Sequence, residues 1–175
     1  MKANVLLLPG LGNSGPAHWQ SLWQDAHGFA RVTQRDWDHP VCRDWVESFD
    51  EFLAGAAADT VVAAHSLGCH VVAAWAAATG RSLRGALLVA PPDPAPPAFP
   101  ASIVGFSPLP RQRLAFPSIV VASSDDPWAS VSFAAEFAAD LGARFVDVGA
   151  AGHLNSDSGL GHWQQGFALL QSLRV

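Results

Sequence analysis

Residues 60–70 read TVVAAHSLGCH, a β-branched run that passes through Ala-His-Ser-Leu-Gly into an alanine-rich stretch. This pattern predicts a buried strand, a sharp turn that carries Ser66, and a helix. Ala64 and Gly68 are small, so the strand and the helix can approach closely enough to form the turn. Glycine is usual at both positions, and the methyl group of Ala64 is a mild departure. A serine hydroxyl becomes a nucleophile only where the backbone holds it beside a base and an anion-binding site.

Strand-like and helix-like segments alternate along the chain, which favours a parallel sheet with helices on both faces. Short apolar runs predict strands at residues 5–8, 60–64, 86–90 and 118–122, and further strands are predicted at residues 31–35 and 144–148. Helices are predicted at residues 17–28, 44–57, 67–78, 129–141 and 161–173. At 175 residues the chain fits one domain, and we expect a three-layer α/β/α sandwich over residues 1–175.

A proline-rich stretch interrupts this alternation. Residues 91–110 contain eight of the 13 prolines, too many for a helix or a central strand. Neither flank is long enough for a separate domain, so we interpret the stretch as an extended loop that shapes a substrate pocket. Phe99 and Phe106 in this loop, and Trp128 beyond it, are candidate substrate-binding residues, although most aromatic side chains belong to the core.

The composition argues against several classes of protein. Half of the residues are hydrophobic and 14% are charged, which is typical of a well-packed globular chain. The net charge of −5 and its scattered distribution disfavour nucleic acid as a partner. Cys42 and Cys69 are too few for a disulfide framework. The apolar run at residues 5–8 is too short for a signal peptide or a membrane span, so we expect a cytoplasmic protein without a membrane partner.

Candidate catalytic residues follow three of the predicted strands. Ser66 follows the third strand, Asp125 and Asp126 follow the fifth, and His153 follows the sixth. Open parallel sheets place their active sites at these strand ends, and α/β-hydrolases use the chain order Ser, Asp, His. We predict a triad of Ser66, Asp126 and His153, with Asp126 favoured because Pro127 biases it towards extended backbone. Alternatively, Asp125 orients the histidine and Asp126 caps the following helix.

The serine and the histidine also have alternatives. Ser66 could serve as a helix N-cap, as serine often does. His65 adjoins Ser66, but neighbouring side chains at a sharp turn point in different directions. His70, within the predicted helix, and His162, at the start of the last helix, fit core, cap or surface roles better. His153 lies in a loop beside glycine, which leaves it free to reach Ser66.

The oxyanion of acyl transfer needs two hydrogen-bond donors. We predict the backbone N–H of Leu67, directly after the nucleophile, and that of Leu11 in the loop LPGLGN at residues 8–13. This loop lacks the Gly-x-Gly-x-x-Gly spacing and a Walker lysine, so it is not a phosphate site; a simple tight turn is the alternative. The chemistry calls for no metal ion and no cofactor, and its partner is a small-molecule acyl substrate.

Further motifs accompany these residues: Leu8-Pro9-Gly10, His18-Trp19, Asp36-Trp37-Asp38 with Pro40, Trp45, HSLG at 65–68, LVAPP at 88–92, Pro117-Ser118, SDDP at 124–127, GHLN at 152–155 and Ser158-Gly159. With them the chain resembles, over nearly its whole length, the small lidless serine hydrolases of the α/β-hydrolase superfamily, the retinoblastoma-binding protein nine-like family. The resemblance implies a minimal six-stranded sheet in the order 2-1-3-4-5-6, no cap domain and the same triad. His18 is a further candidate, either touching the oxyanion loop or hydrogen-bonding the chain near Trp37.

The leading hypothesis is therefore a metal-independent serine esterase acting on small acyl esters or amides. One alternative is a protein-binding module that keeps the fold and has lost catalysis. The presence of all three triad members disfavours it, since binding alone does not need them. An acyltransferase or thioesterase with the same triad is the other alternative. The sequence identifies no protein partner.

Overall fold

A six-stranded, all-parallel sheet forms the centre of the molecule. The computed structural model describes residues 4–55, 57–95 and 99–175. The strands are β1 (Asn4–Leu8), β2 (Ala30–Arg31), β3 (Thr60–His65), β4 (Gly85–Val89), β5 (Ser118–Ala122) and β6 (Arg144–Asp147). Their order is β2-β1-β3-β4-β5-β6, the order implied by the family resemblance. The strand that leads to Ser66 is therefore inside the sheet, between β1 and β4.

Helices cover both faces of the sheet. They are α1 (Trp19–His27), α2 (Cys42–Leu53), α3 (Leu67–Thr79), α4 (Val131–Leu141) and α5 (Gln164–Ser172), with 3₁₀ turns at Ala57–Asp59 and Ser156–Ser158. Alternate residues of each strand point to opposite faces. One set packs with α2, α3 and α4, and the other packs with α1 and α5. The fold is the three-layer α/β/α sandwich predicted from the sequence. No helix among the described residues is long and apolar enough to cross a membrane.

Several predicted elements differ in their bounds: α2, for example, is Cys42–Leu53 rather than residues 44–57, and the second strand and the last helix differ for a clear reason. The strand predicted at 31–35 is only Ala30–Arg31, because Arg31 pairs with Leu7 and β1 ends one residue later, leaving the edge strand almost no further partner. The last helix begins at Gln164 rather than at 161. Gly161 and Trp163 have positive φ angles of 57° and 39°, which a right-handed helix does not accommodate.

The proline-rich stretch is an irregular loop, as predicted. Its described residues, 91–95 and 99–110, form no helix or strand. Val104 makes an isolated bridge with Val41 and anchors the loop to the start of α2. The Val104 carbonyl accepts a hydrogen bond from Cys42 N–H at 2.9 Å. No cap domain is therefore present among the described residues, and the carboxyl edge of the sheet is covered only by loops.

The turn after β3 packs tightly against the loop after β1. A Cβ atom at Gly68 would overlap the backbone carbonyl oxygen of Leu8, and one at Gly10 would lie 2.8 Å from the Cβ of Ser66. Real Cβ atoms do not approach other atoms this closely, so both positions require glycine. This approach brings the loop that follows β1 beside the serine.

Gly68→Ala should destabilise the protein although alanine is the better helix former. The added methyl group meets backbone, so we expect the free energy of unfolding to fall by about 2 kcal/mol or more, as in other overpacked sites. Urea denaturation measures the change. Gly55→Ala is the control, because a Cβ there meets nothing within 4 Å. Equal stability of Gly68→Ala and the unsubstituted protein would contradict the close approach.

Candidate active site

Ser66 lies at the turn between β3 and α3 in a strained backbone conformation. Its φ and ψ angles are 55° and −123°, and positive φ is uncommon for serine. Its N–H donates to the carbonyl of Val89 at 2.9 Å, which ties the turn to β4. Ser66 occupies the N-cap position of α3, but its side chain makes no capping hydrogen bond. The alternative that Ser66 is simply a helix cap is therefore wrong.

The hydroxyl group of Ser66 instead contacts His153, which in turn contacts Asp126. Ser66 Oγ lies 2.9 Å from His153 Nε2. His153 Nδ1 lies 3.0 Å from Oδ1 and 2.9 Å from Oδ2 of Asp126. Because an ionised carboxylate only accepts, the His153 proton lies on Nδ1 and Nε2 is free to accept from the serine. The side chains of His153 and Asp126 are 11% and 3% exposed, so water screens this series poorly.

The neighbouring carboxylate, Asp125, holds the loop that carries the histidine. Its Oδ1 accepts hydrogen bonds from Ser123 Oγ at 2.8 Å and from Gly152 N–H at 2.7 Å. These hydrogen bonds lower the pKa of Asp125 below its ordinary value. Helix α4 is capped by Ser130, which accepts from Phe133 N–H at 3.1 Å. The structure thus places Asp126, and not Asp125, against the ring of His153. Ser130, and not Asp126, caps helix α4.

The loop after β1 lies beside Ser66, with the backbone of Gly10 against the serine. Gly12 N–H donates to Trp37 O at 2.9 Å, and Asn13 N–H donates to Gly10 O at 3.1 Å, so the loop has a defined shape. Leu11 lies within it at the rim of the cleft. Leu67 is the first residue of α3, and the first N–H groups of a helix have no intrahelical partner.

A cleft of about 250 Å³ opens over Ser66 and His153. Leu11 and Trp128 stand at its rim with 43% and 42% of their surface exposed. The apolar part of the lining comes mainly from the proline-rich loop. The described residues that line the cleft are Leu11, Asn13, Gly15, His18, His65, Ser66, Leu67, Pro92, Phe99, Pro100, Ile103, Trp128, His153, Asn155 and Ser156.

Phe106 was predicted as a substrate-binding residue, and this prediction is wrong. Its side chain is 2% exposed and belongs to the core on the α2 face of the sheet. The ring packs edge-on against Trp45 with ring centres 6.0 Å apart. Phe99, earlier in the same loop, lines the cleft instead. Sequence alone could not separate the two phenylalanines, because neither follows a regular periodicity.

His18 lies in the cleft lining and also begins helix α1. Its Nδ1 accepts a hydrogen bond from Gln20 N–H at 3.1 Å. Its Nε2 is buried and has no hydrogen-bond partner among the described residues, so the suggested bond to the chain near Trp37 is not formed. Burial, and secondarily the charges of Arg31 and His153, lower the pKa of His18 to about 4.

His65 is the residue at the site whose role sequence reasoning missed. Its side chain turns towards the histidine loop, where Nε2 lies 2.8 Å from the carbonyl oxygen of His153. The His65 ring centre is 4.9 Å from that of His153 and 4.7 Å from that of His18. The three histidines therefore form a continuous series of ring contacts along one side of the cleft.

His70, His162 and the buried Cys69 lie apart from this series of histidines. His70 is buried in α3 and contacts the Pro92 carbonyl at 2.6 Å through Nε2, whereas His162 is exposed. Cys69 is buried with Sγ 3.3 Å from Val89 O, and burial raises the pKa of its thiol. Among the described residues, no group of three or more His, Cys, Asp or Glu side chains is arranged to hold a metal ion.

The fold and the site together define an α/β-hydrolase with a serine at the turn after the central strand. The family model described as serine hydrolase matches residues 5–172. The chain therefore belongs to the serine hydrolase family.

Solved structures of similar fold agree with this assignment. A YdeN-like hydrolase of Pectobacterium atrosepticum superposes with a TM-score of 0.86 at 28% identity, over 99% of this chain and 91% of that one. The ydeN gene product of Bacillus subtilis gives 0.80 at 20% identity, over 98% of each chain, which is a likeness of fold alone. An esterase of Thermogutta terrifontis gives 0.70 at 14% identity, over 99% and 91%, and this likeness concerns the fold alone. A comparison with curated protein sequences gave no match.

The buried state of His18 should make stability depend on pH. Its pKa is about 4 in the folded protein and near 6.5 when unfolded, so the unfolded chain binds the proton more strongly. The free energy of unfolding is therefore not reduced by His18 above pH 6.5, and it decreases as the pH falls towards 4. His18→Asn keeps a side-chain acceptor for the N-cap and removes the titrating ring.

Urea denaturation at several pH values tests this expectation. Between pH 6.5 and 4, the free energy of unfolding should fall less in His18→Asn than in the unsubstituted protein, by roughly 3 kcal/mol at most. The control is the same substitution, His to Asn, at the exposed His162. Identical slopes for all three proteins would show that His18 is not held neutral by the fold.

Proposed function

We propose that this serine hydrolase cleaves small acyl esters through a covalent acyl-enzyme on Ser66. The observation that carries the proposal is the hydrogen-bonded series from Ser66 Oγ through His153 to Asp126, with each contact between 2.9 and 3.0 Å. A serine, a base within hydrogen-bond reach and a third group that orients the base are the requirements for nucleophilic catalysis.

In the first half-reaction, His153 Nε2 takes the proton of Ser66 as Oγ attacks the ester carbonyl carbon. The resulting imidazolium is stabilised by the carboxylate of Asp126, which stays ionised. When the tetrahedral intermediate collapses, the bond to the alcohol oxygen breaks and His153 returns the proton to that oxygen. The alcohol leaves, and the acyl group remains on Ser66 as an ester.

In the second half-reaction, water takes the place of the alcohol. His153 removes a proton from water as its oxygen attacks the acyl carbon, and then protonates Ser66 as the carboxylic acid departs. Both tetrahedral intermediates place negative charge on the former carbonyl oxygen. We assign its stabilisation to the backbone N–H groups of Leu67 and Leu11, which belong to the two segments pressed together by Gly68 and Gly10.

The proposed preference for small, uncharged acyl groups is supported by the cleft. Its volume is about 250 Å³, and Phe99, Ile103 and Trp128 supply apolar surface. No Lys, Arg, Asp or Glu is among the described residues that line it, so a charged acyl group would lack a countercharge. We propose Trp128 and His18 as substrate contacts on the rim and on the inner wall.

Ser66→Ala should lower ester turnover by about 10⁴-fold or more, because the nucleophile is lost while binding remains. The assay is hydrolysis of p-nitrophenyl acetate and butyrate, with a thioester and an alcohol acceptor included to detect thioesterase or transferase activity. A fluorophosphonate probe should label the unsubstituted protein and Ser172→Ala, in which an exposed α5 serine is removed, but not Ser66→Ala. Absence of a Ser66 adduct in folded protein would reject the hydrolase mechanism.

The two adjacent aspartates should differ sharply when each is changed to asparagine. Asp126→Asn should lower kcat by about 10³- to 10⁴-fold, because asparagine no longer selects the Nδ1–H tautomer of His153. Asp125→Asn should lower kcat only about tenfold, through a loosened Gly152 contact. Steady-state kinetics of the two variants decides the assignment. A larger loss in Asp125→Asn would mean that Asp125 is the orienting acid.

A further inference from the structure

The backbone around His153 is held by side chains from several separate segments. Three bonds tie its neighbours: Ala151 N–H to Ser123 Oγ at 2.8 Å, Gly152 N–H to Asp125 Oδ1 at 2.7 Å, and the Trp19 indole N–H to Leu154 O at 2.9 Å. These bonds fix the loop relative to the end of β5 and to α1. His153 itself is held by a hydrogen bond from His65 Nε2 to its backbone carbonyl, at 2.8 Å.

The hydrogen bond to the His153 carbonyl determines which ring nitrogen of His65 carries the proton. A backbone carbonyl can only accept, so Nε2 of His65 carries the hydrogen and Nδ1 carries a lone pair. The side chain is 6% exposed, and burial lowers the pKa of His65 well below its ordinary value, so the ring stays neutral. A neutral ring also adds no positive charge beside His153 at the moment when that residue becomes an imidazolium.

His65 connects the two reacting groups by a short path. It is the last residue of β3 and is bonded covalently to Ser66, while its side chain holds the main chain of His153. None of the other three hydrogen bonds involves a residue of β3. The loop itself contains two glycines, Gly149 and Gly152, with positive φ angles of 78° and 57°. Glycine has no side chain to restrict the backbone.

We propose that His65 is a positioning residue, whose Nε2–H bond to the His153 carbonyl keeps the His153 imidazole at hydrogen-bond distance from Ser66. The proposal rests on the proposed roles of Ser66 and His153. Proton transfer requires contact at about 2.6–3.2 Å, and misplacement by about 1 Å can lower a rate by about 10²-fold. Loss of the tie should therefore lower kcat and the rate of Ser66 phosphonylation together, with little change in KM.

A pair of amide variants tests this role with matched chemistry. In His65→Gln the amide nitrogen lies near the position of Nε2 and can still donate to the carbonyl. In His65→Asn the amide is one methylene shorter, near the position of Nδ1, and cannot reach it. His70→Asn is the control, because His70 is also buried and also meets a backbone carbonyl through Nε2, but that carbonyl belongs to Pro92.

Steady-state kinetics with p-nitrophenyl butyrate, the rate of fluorophosphonate labelling and thermal denaturation are measured for each variant. We expect His65→Asn to lower kcat and the labelling rate by about 30-fold or more, with KM within about twofold and with His65→Gln recovering at least about fivefold. His70→Asn should lose thermal stability but stay within about threefold in kcat.

Three results would overturn the positioning role: a His65→Asn variant within about threefold of the unsubstituted kcat, equal losses in the Gln and Asn variants, or an equal kcat loss in His70→Asn. Failure of the hydrolase mechanism is a different result. It appears in the unsubstituted protein, as no labelling at Ser66 and no ester turnover, whereas failure of the positioning role appears only in the comparison of variants.

Discussion

The close approach of two backbone segments is the constraint on which the site depends. Gly68 lies against the carbonyl oxygen of Leu8, and Gly10 lies against Ser66, with no room for a side chain at either glycine. This contact holds the positive φ of Ser66, which an isolated turn would relax. It also sets the loop after β1 beside the hydroxyl group. The contact of the end of β1 and the loop after it with the start of α3 therefore underlies both the backbone conformation of Ser66 and the position of the proposed oxyanion donors, while the bond from Ser66 N–H to Val89 O also holds the turn.

The electrostatics of the site follow from what each charged group touches. Asp125 and Asp126 are adjacent in sequence, yet Asp126 faces the His153 ring and Asp125 faces the backbone N–H of Gly152. Burial lowers the pKa values of His18 and His65, so neither ring adds a second positive charge beside Ser66 when His153 becomes an imidazolium in the proposed reaction.

Much of the fold could be predicted because its determinants are local. The buried strands β1, β3, β4 and β5 are short, mainly apolar runs, and Ser66 and Asp126 follow two of them. His153 follows β6, which is only partly buried. The ends of these strands therefore predicted the location of the candidate site. The features that were missed depend on tertiary contacts. Phe106 and Phe99 share a loop but one ring meets Trp45 and the other meets the cleft, which no local pattern distinguishes. The side-chain direction of His65 likewise depends on a loop 88 residues away.

The bonds that complete the site join distant parts of the chain. Ser66 and His153 are separated by 87 residues, and the indole of Trp19 reaches a carbonyl 135 residues further along. Each such contact closes a large loop of chain, which costs conformational entropy. His153 follows β6, an edge strand of the sheet, so loss of these contacts would release His153 from the serine while the centre of the sheet stays paired. Reactivity of Ser66 is consequently a sensitive reporter of intact tertiary structure, able to reveal partial opening that a bulk measure of secondary structure would not detect.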